Sequence, residues 1–176
     1  GLELYTPKFE KKLIFSGDPS RFPHIVDWKH STPLHVYATR AEGVDYSKVH
    51  LEGWRTQQEL LLELSKGGGF GLVWGNSENP AEERDYYKEN VSYKLTTYLA
   101  AGIPVVVPDY LSNADYIREK GLGFVVSSLE EASRVVQECT AEEYDQMVTR
   151  AKYTAYLIKN GYFTKKLFID SMMLLD

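Results

Sequence analysis

Short apolar segments alternate with helical patterns along the whole chain, and few folds accommodate this order. Strands are predicted at residues 11–16, 34–38, 48–51, 70–74, 103–107 and 123–127. Helices are predicted at residues 56–64, 92–101, 113–120, 129–138, 141–159 and 162–175. Strands that alternate with helices over short connections form a parallel sheet with helices on both faces. The sequence therefore predicts one doubly wound, Rossmann-like α/β domain over residues 1–176, with about six parallel strands.

Residues at the predicted helix ends suit those positions. In a capping box, a Ser or Thr side chain and a Glu three residues later accept hydrogen bonds from each other's backbone N–H groups. Gly102 is expected to end a helix in the left-handed conformation, and Asp18 before Pro19 is expected to cap a short helix. The predicted capping boxes are Thr56 with Glu59, Ser128 with Glu131, and Thr140 with Glu143.

The composition excludes several classes of protein. The formal net charge is -5, and no Lys and Arg cluster could neutralise a nucleic-acid backbone. No apolar run approaches the ~20 residues that cross a bilayer. The single cysteine, Cys139, cannot form an internal disulfide, which is typical of a reducing cytoplasm. We therefore expect a cytoplasmic globular domain, without a metal site because the histidines lack ligand spacing: His24, His30, His35 and His50.

Ligands of an open parallel sheet bind in the crevice beyond the carboxyl ends of the strands. The loops that leave predicted strands there are residues 17–21, 53–54, 75–93 and 108–112. The loop at 75–93 is the longest, and long loops within compact domains are often functional. It leads to a predicted helix start that contains Asn90, Ser92, Tyr93 and Lys94.

Lys94 is the strongest candidate for binding an anion. The free N–H groups and the dipole at a helix N-terminus attract negative charge, so a lysine in the first turn opposes the dipole. A phosphate bound between the Lys94 amine and the helix end would interact favourably with the amine and with the helix dipole. The residues alone leave another interpretation open, in which Lys94 lies on a solvated helix face or the helix begins one turn away.

Two further loops carry groups suited to a nucleotide. Gly17 opens a turn that ends at Arg21, whose guanidinium could form two hydrogen bonds with a phosphate. A capped turn with a surface arginine explains the same residues. Gly53 precedes Trp54, whose ring could stack on a nucleobase, or could instead pack in the core against the next helix. The sequence contains no P-loop, nucleophile elbow or paired carboxylates.

The stretch from 94 to 107, KLTTYLAAGIPVVV, resembles the C-terminal half of GT-B glycosyltransferases. In that family, a helix that begins at the sugar nucleotide is followed by Ala-Gly-x-Pro-Val and a buried strand. A narrower group within this family is indicated by further segments of the chain, at 17–23, 70–75, 90–94 and 121–126. Over residues 11–168 the chain resembles glucosyltransferases that extend O-glycans on serine-rich-repeat adhesins of Gram-positive bacteria, and their galactofuranosyltransferase-like relatives.

The resemblance implies the donor-binding half of a two-domain enzyme with a UDP-sugar, most simply UDP-glucose, as donor. Arg21 and Lys94 would bind the diphosphate, and Trp54 would flank the uracil and ribose. Asn90 and Tyr93 would order their loop. The implied donor-binding residues are Gly17, Arg21, Gly53, Trp54, Asn90, Ser92, Tyr93 and Lys94.

The implied reaction is sugar transfer to a glycan on a protein acceptor, without a metal or other cofactor. Because the chain begins with Gly1 rather than methionine, we expect a piece of a longer protein. The N-terminal acceptor domain, with the catalytic base, would then be absent. Such a piece is expected to bind donor without robust transfer, and to self-associate through apolar side chains of the predicted helix at 162–175.

Two other functions are compatible with the same residues. A UDP-sugar epimerase half would share the nucleotide site but would need acid–base residues in the crevice, for which the sequence offers no candidates. A non-catalytic nucleotide-sugar-binding or assembly partner would differ in lacking an acceptor domain in the full-length chain.

Overall fold

The computed structural model describes residues 3–75 and 92–161. Within these residues the strands are β1 (Leu13–Ser16), β2 (Leu34–Tyr37), β3 (His50–Leu51), β4 (Phe70–Leu72), β5 (Val105–Pro108) and β6 (Gly123–Val126). They form one parallel sheet in the order β3-β2-β1-β4-β5-β6. The sheet grows outward in both directions from β1 and β4, which confirms the predicted doubly wound α/β fold.

Within residues 3–75 and 92–161, β2 leads to β3 without a helix, and helices lie between the other consecutive strands. The helices are α1 (Pro23–Val26), α2 (Gln57–Gly67), α3 (Tyr93–Ala101), α4 (Ala114–Lys120), α5 (Leu129–Glu138) and α6 (Ala141–Lys159), with a 3-10 turn at Pro19–Arg21. None of these described helices is long and apolar enough to cross a membrane. The predicted helix at 162–175 lies outside the described residues.

The sheet is buried on both faces, as its apolar strands predict. Leu13 and Phe15 of β1 belong to the core cluster that also contains Ile25 of α1. Ile14, between them, belongs to a second cluster with Leu64 of α2 and Leu95 of α3. Alternate residues of a strand point to opposite faces, so each face of β1 supports its own helix layer.

The predicted helix caps are largely confirmed. Gly102 ends α3 in the left-handed conformation, with φ of 79°. Ser128 Oγ accepts a hydrogen bond from the N–H of Glu131, but the Glu131 carboxylate accepts from the N–H of Ser127 rather than Ser128, at 2.8 Å. Only one of the two hydrogen bonds of that predicted capping box is therefore present. Both reciprocal bonds are present in the other two boxes, Thr56 with Glu59 and Thr140 with Glu143.

The segment that precedes β1 packs along one side of the domain. The N–H of Tyr5 donates to Ser65 Oγ of α2 at 3.3 Å, and Lys152 Nζ of α6 donates to Thr6 Oγ1 at 2.8 Å. The predicted strand at 11–16 begins only at Leu13, because the chain turns just before it and the N–H of Lys12 donates to the carbonyl of Glu10. Strand ends depend on their ladder partners, which the local sequence does not contain.

The cysteine and two of the histidines have structural surroundings. Cys139 is buried, and this burial raises the pKa of its thiol to about 11, which favours the protonated and less reactive form. His35 Nδ1 lies 2.6 Å from Glu52 Oε1, and the His35 ring stacks on His50. Within residues 3–75 and 92–161, no group of three His, Cys, Asp or Glu side chains could hold a metal ion.

Candidate functional site

A groove lies at the carboxyl edge of the sheet, beside the turn that follows β1. Its volume is about 650 Å³, within the range of ~300–1,000 Å³ that is usual for small-molecule sites. The loops after β1, β2 and β3 form its walls and contribute Gly17, Arg40 and Trp54, among other residues. The sheet reverses its strand order between β1 and β4, and the groove lies on the β2 side of that point, because the loops that line it follow β1, β2 and β3.

Lys94 lies in the first turn of α3 and is half-buried against β1 and the turn that follows it. Its Nζ is 5.2 Å from the ring centroid of Phe15 and 4.6 Å from that of Phe22. Its stem passes over Gly17, where an added Cβ would lie 3.1 Å from Lys94 Cε. The helix begins at Tyr93, one residue from the predicted start. The interpretation of Lys94 as a solvated surface residue is therefore wrong.

The charge around the Lys94 amine is positive. Burial lowers the pKa of Lys94, and the nearby charge of Arg21 lowers it further. In the described part of the chain, no carboxylate forms an ion pair with either side chain. Ser92 is the N-cap residue of α3, but its side chain makes no capping hydrogen bond. This end of α3 therefore has the properties of an anion site.

The acid in the turn after β1 is bound by Ser20, and the nearby charge of Arg21 also lowers its pKa. Asp18 Oδ1 accepts hydrogen bonds from the N–H of Ser20 at 3.0 Å and from Ser20 Oγ at 2.8 Å. These bonds are the main reason that the pKa of Asp18 is lowered. Asp18 therefore caps its own 3-10 turn, as predicted, and the turn presents Arg21 at its end.

Trp54 lines the groove together with residues of the turn after β1. Its side chain is 64% exposed, so the interpretation of Trp54 as a core residue is wrong. The following residue, Arg55, also lines the groove, and its Nε lies 2.5 Å from Glu63 Oε1 of α2. This ion pair ties the loop that carries Gly53 and Trp54 to a helix of the scaffold.

The loop after β2 also lines the groove, although it is not among the loops singled out from the sequence. It contributes Thr39, Arg40 and Ala41. The guanidinium of Arg40 lies 5.0 Å from the ring centroid of Tyr46, whose hydroxyl accepts a hydrogen bond from the N–H of Ala41 at 2.9 Å. The sequence contains a signal for this loop. A strand is predicted to end at Ala38, and the loop that follows a strand of a parallel sheet leaves its carboxyl edge, where ligands bind.

The structure brings most of the sequence-predicted residues to this edge. Gly17 and Lys94 are in contact, with Arg21 close enough to affect the amine. At the start of α3, Ser92 is buried and Tyr93 is 70% exposed. Asn90 lies outside the described residues. Of the predicted residues, Gly17 and Trp54 line the described groove, whereas its lining does not include Arg21, Gly53, Ser92, Tyr93, Lys94 or the loop at 108–112.

Comparison with known proteins identifies relatives over nearly the whole chain. A family model described as "Glucosyltransferase 3-like, C-terminal domain" matches residues 13–171. A Streptococcus gordonii protein named glucosyltransferase 3 is 55% identical over 172 residues, which are 98% of this chain and 51% of that protein.

Two other relatives are more distant. A Streptococcus parasanguinis protein, also named glucosyltransferase 3, is 33% identical over 96% of this chain and 49% of its own length. The β-1,6-galactofuranosyltransferase WbbI of Escherichia coli K12 is 27% identical over 88% of this chain and 47% of its own length. The chain therefore spans about half the length of the curated relatives that it matches.

Proposed function

Because the chain belongs to the glucosyltransferase 3-like C-terminal domain family, we propose that it is the donor-binding half of a glycosyltransferase and holds a UDP-sugar at the carboxyl edge of its sheet. The observation that carries this proposal is the position of Lys94. Its amine is half-buried at the N-terminus of α3, beside a second cation and without an acidic partner among the described residues.

The diphosphate of the donor lies beside the Lys94 amine and Arg21, at the N-terminus of α3. Two cations that approach each other in a partly buried place repel, and a diphosphate between them converts this repulsion into attraction. Arg21 adds a guanidinium that can bind phosphate oxygens in pairs. The first turn of α3 supplies N–H groups and the positive end of its dipole.

The uridine occupies the groove. Trp54 offers an exposed indole face on which a pyrimidine can stack, and the wall formed by the β2 and β3 loops leaves room for the ribose. Gly53 lets the chain turn into this loop directly after β3. The sugar then extends beyond the diphosphate, toward the half of the protein that the relatives possess and this chain does not span.

The reaction proposed for the whole protein is transfer of glucose to a glycan on a protein acceptor, in the cytoplasm and without a metal ion. Lys94, Arg21 and the α3 dipole neutralise the departing diphosphate, which is the task that a metal performs in other transferases. The acceptor and the catalytic base come from the N-terminal half. Asp18 is the one carboxylate that lines the described groove, and it is engaged by Ser20, so an epimerase receives no support.

Calorimetric titration of the chain with UDP, UDP-glucose and GDP, each in EDTA and in Mn²⁺, tests this proposal. We expect UDP and UDP-glucose to bind in the micromolar range, about -7 to -8 kcal/mol, with the same affinity in both buffers. GDP should bind at least about tenfold more weakly. Trp54→Ala is the control for the groove and should weaken UDP binding without unfolding the chain, because its side chain is exposed.

Each alternative result has a definite meaning. Equal affinities for UDP and GDP would contradict the uridine assignment. Binding in Mn²⁺ alone would contradict metal-independent recognition. Absence of binding by any of the three nucleotides would contradict the assignment of the donor site to this chain.

A further inference from the structure

Tyr98 is a fully buried residue of α3 whose hydroxyl reaches the end of β1. The N–H of Ser16, the last residue of β1, donates a hydrogen bond to Tyr98 Oη at 2.9 Å. This bond joins residues that are 82 positions apart in the chain. It links the helix that carries Lys94 to the residue that precedes Gly17.

Strand geometry shows why Ser16 needs this partner. The N–H groups of Leu13 and Gly17 donate to β2 and its flanking residues, at the carbonyls of Pro33 and Tyr37. Successive N–H groups of a strand alternate in direction, so the N–H of Ser16 faces β4. The ladder between β1 and β4 ends at Ile14 and Gly71. The Tyr98 hydroxyl therefore stands where a β4 carbonyl would continue the ladder.

Gly71 of β4 makes room for the Tyr98 ring. A Cβ added at Gly71 would lie 2.3 Å from Cγ and Cδ2 of Tyr98, which no side chain could tolerate. Gly71 also belongs to the buried middle of the sheet, where glycine costs stability relative to residues with side chains. Glycine at position 71 therefore allows the Tyr98 ring to approach β4 closely.

Tyr98 follows Lys94 by four residues, so both side chains project from the same side of α3, one turn apart. Ser16 immediately precedes the turn that carries Gly17 and leads to Arg21. A shift of α3 along or away from β1 would therefore move the Lys94 amine relative to this turn. The hydrogen bond from Ser16 to Tyr98 directly joins these two walls of the anion site.

We propose that Tyr98 is a positioning residue of the donor site, which fixes the Lys94 amine against the turn after β1 through its bond to Ser16. This inference rests on the function proposed above. Tyr98 does not touch the ligand, since its side chain is 0% exposed. Burial raises the pKa of its phenol, so the hydroxyl stays neutral and the bond persists at physiological pH.

Tyr98→Phe tests this inference because it removes the hydroxyl and keeps the ring. Tyr144→Phe is the matched control: Tyr144 is also 0% exposed, and its hydroxyl donates to the carbonyl of Gly69 at 3.1 Å. Gly69 precedes β4 and therefore lies at the opposite, amino edge of the sheet. Each variant loses one hydrogen bond between a buried tyrosine and the backbone, and thermal unfolding should show comparable losses of stability.

The two variants should differ in ligand binding. We expect Tyr98→Phe to weaken UDP binding about 5- to 10-fold, and uridine binding, measured by NMR titration, less than about twofold. Tyr144→Phe should leave both affinities within about twofold of the unmodified chain. Equal effects of the two variants on UDP, or equal effects of Tyr98→Phe on UDP and uridine, would overturn the positioning role.

A second readout does not require nucleotide binding. The Nζ environment of Lys94 can be followed by ¹³C NMR after reductive methylation with labelled formaldehyde, with Lys94→Ala to assign the signal. Tyr98→Phe should shift this signal and Tyr144→Phe should not. If the unmodified chain does not bind UDP, the proposed donor site is contradicted. If Tyr98→Phe alone still shifts the Lys94 signal, the coupling of Tyr98 to the position of the Lys94 amine is supported. An unshifted signal in Tyr98→Phe would overturn the coupling itself.

Discussion

Replacing Lys94 with alanine is expected to weaken UDP binding more than tenfold, a loss of at least ~1.4 kcal/mol. The amine lies at the N-terminus of α3 beside the rings of Phe15 and Phe22, so it is already placed for its ligand before the ligand arrives. A partly buried cation interacts more strongly with a phosphate than an exposed one, because less water screens the pair. Calorimetry with UDP measures the effect.

Lys94→Met separates the charge from the packing of the side chain. Methionine retains most of the apolar stem that covers Gly17 but lacks the ammonium group. We expect it to weaken UDP binding as much as Lys94→Ala does. Without ligand, it should unfold at the same or a higher temperature than the unmodified chain, because burial and Arg21 both disfavour the lysine charge. Near-normal UDP binding by Lys94→Met would show that the amine is not a ligand of the diphosphate.

Replacing Gly68 with alanine is expected to lower the free energy of unfolding by about 3–5 kcal/mol, the sum of backbone strain and overpacking. Gly68 follows α2 with φ of 66° and ψ of -158°, a region that is essentially restricted to glycine. An added Cβ would lie 1.8 Å from the carbonyl oxygen of Lys8, in the segment that packs along the domain before β1. Chemical denaturation measures the loss.

The adjacent Gly67 provides a control of opposite sign. It is the last residue of α2, and an added Cβ would meet only Lys12 Nζ at 3.7 Å, an ordinary contact. Alanine is favoured over glycine in a helix, so Gly67→Ala should raise the free energy of unfolding by up to ~1 kcal/mol. If Gly67→Ala and Gly68→Ala had the same effect, the packing of residue 8 against Gly68 would be contradicted.

The fold could be predicted because the patterns that indicate it are local. Each strand is indicated by a short apolar run, and each helix end by residues a few positions apart, such as Thr56 with Glu59, Thr140 with Glu143, and Gly102. Where a prediction failed, the information that it lacked lies in tertiary contacts. The carboxylate of Glu131 bonds Ser127 instead of Ser128, a choice that depends on how the chain leaves β6.

The site was only partly predictable for the same reason. Local sequence gives Lys94 and Trp54 a place at the carboxyl edge, but it leaves open whether each is buried or exposed. Contacts with Phe15 and Phe22, far away in the chain, decide this for Lys94. Tyr98 gives no functional signal at all, because an aromatic residue on the apolar side of a helix has the pattern of an ordinary core residue.

A crystal structure of the chain with UDP would measure the distance from Lys94 Nζ to the diphosphate. We expect a phosphate oxygen within about 2.7–3.2 Å of this nitrogen, at the N-terminus of α3, with the uracil ring against Trp54. A diphosphate bound elsewhere, with Lys94 Nζ making no contact to it, would show that Lys94 is not a ligand of the donor.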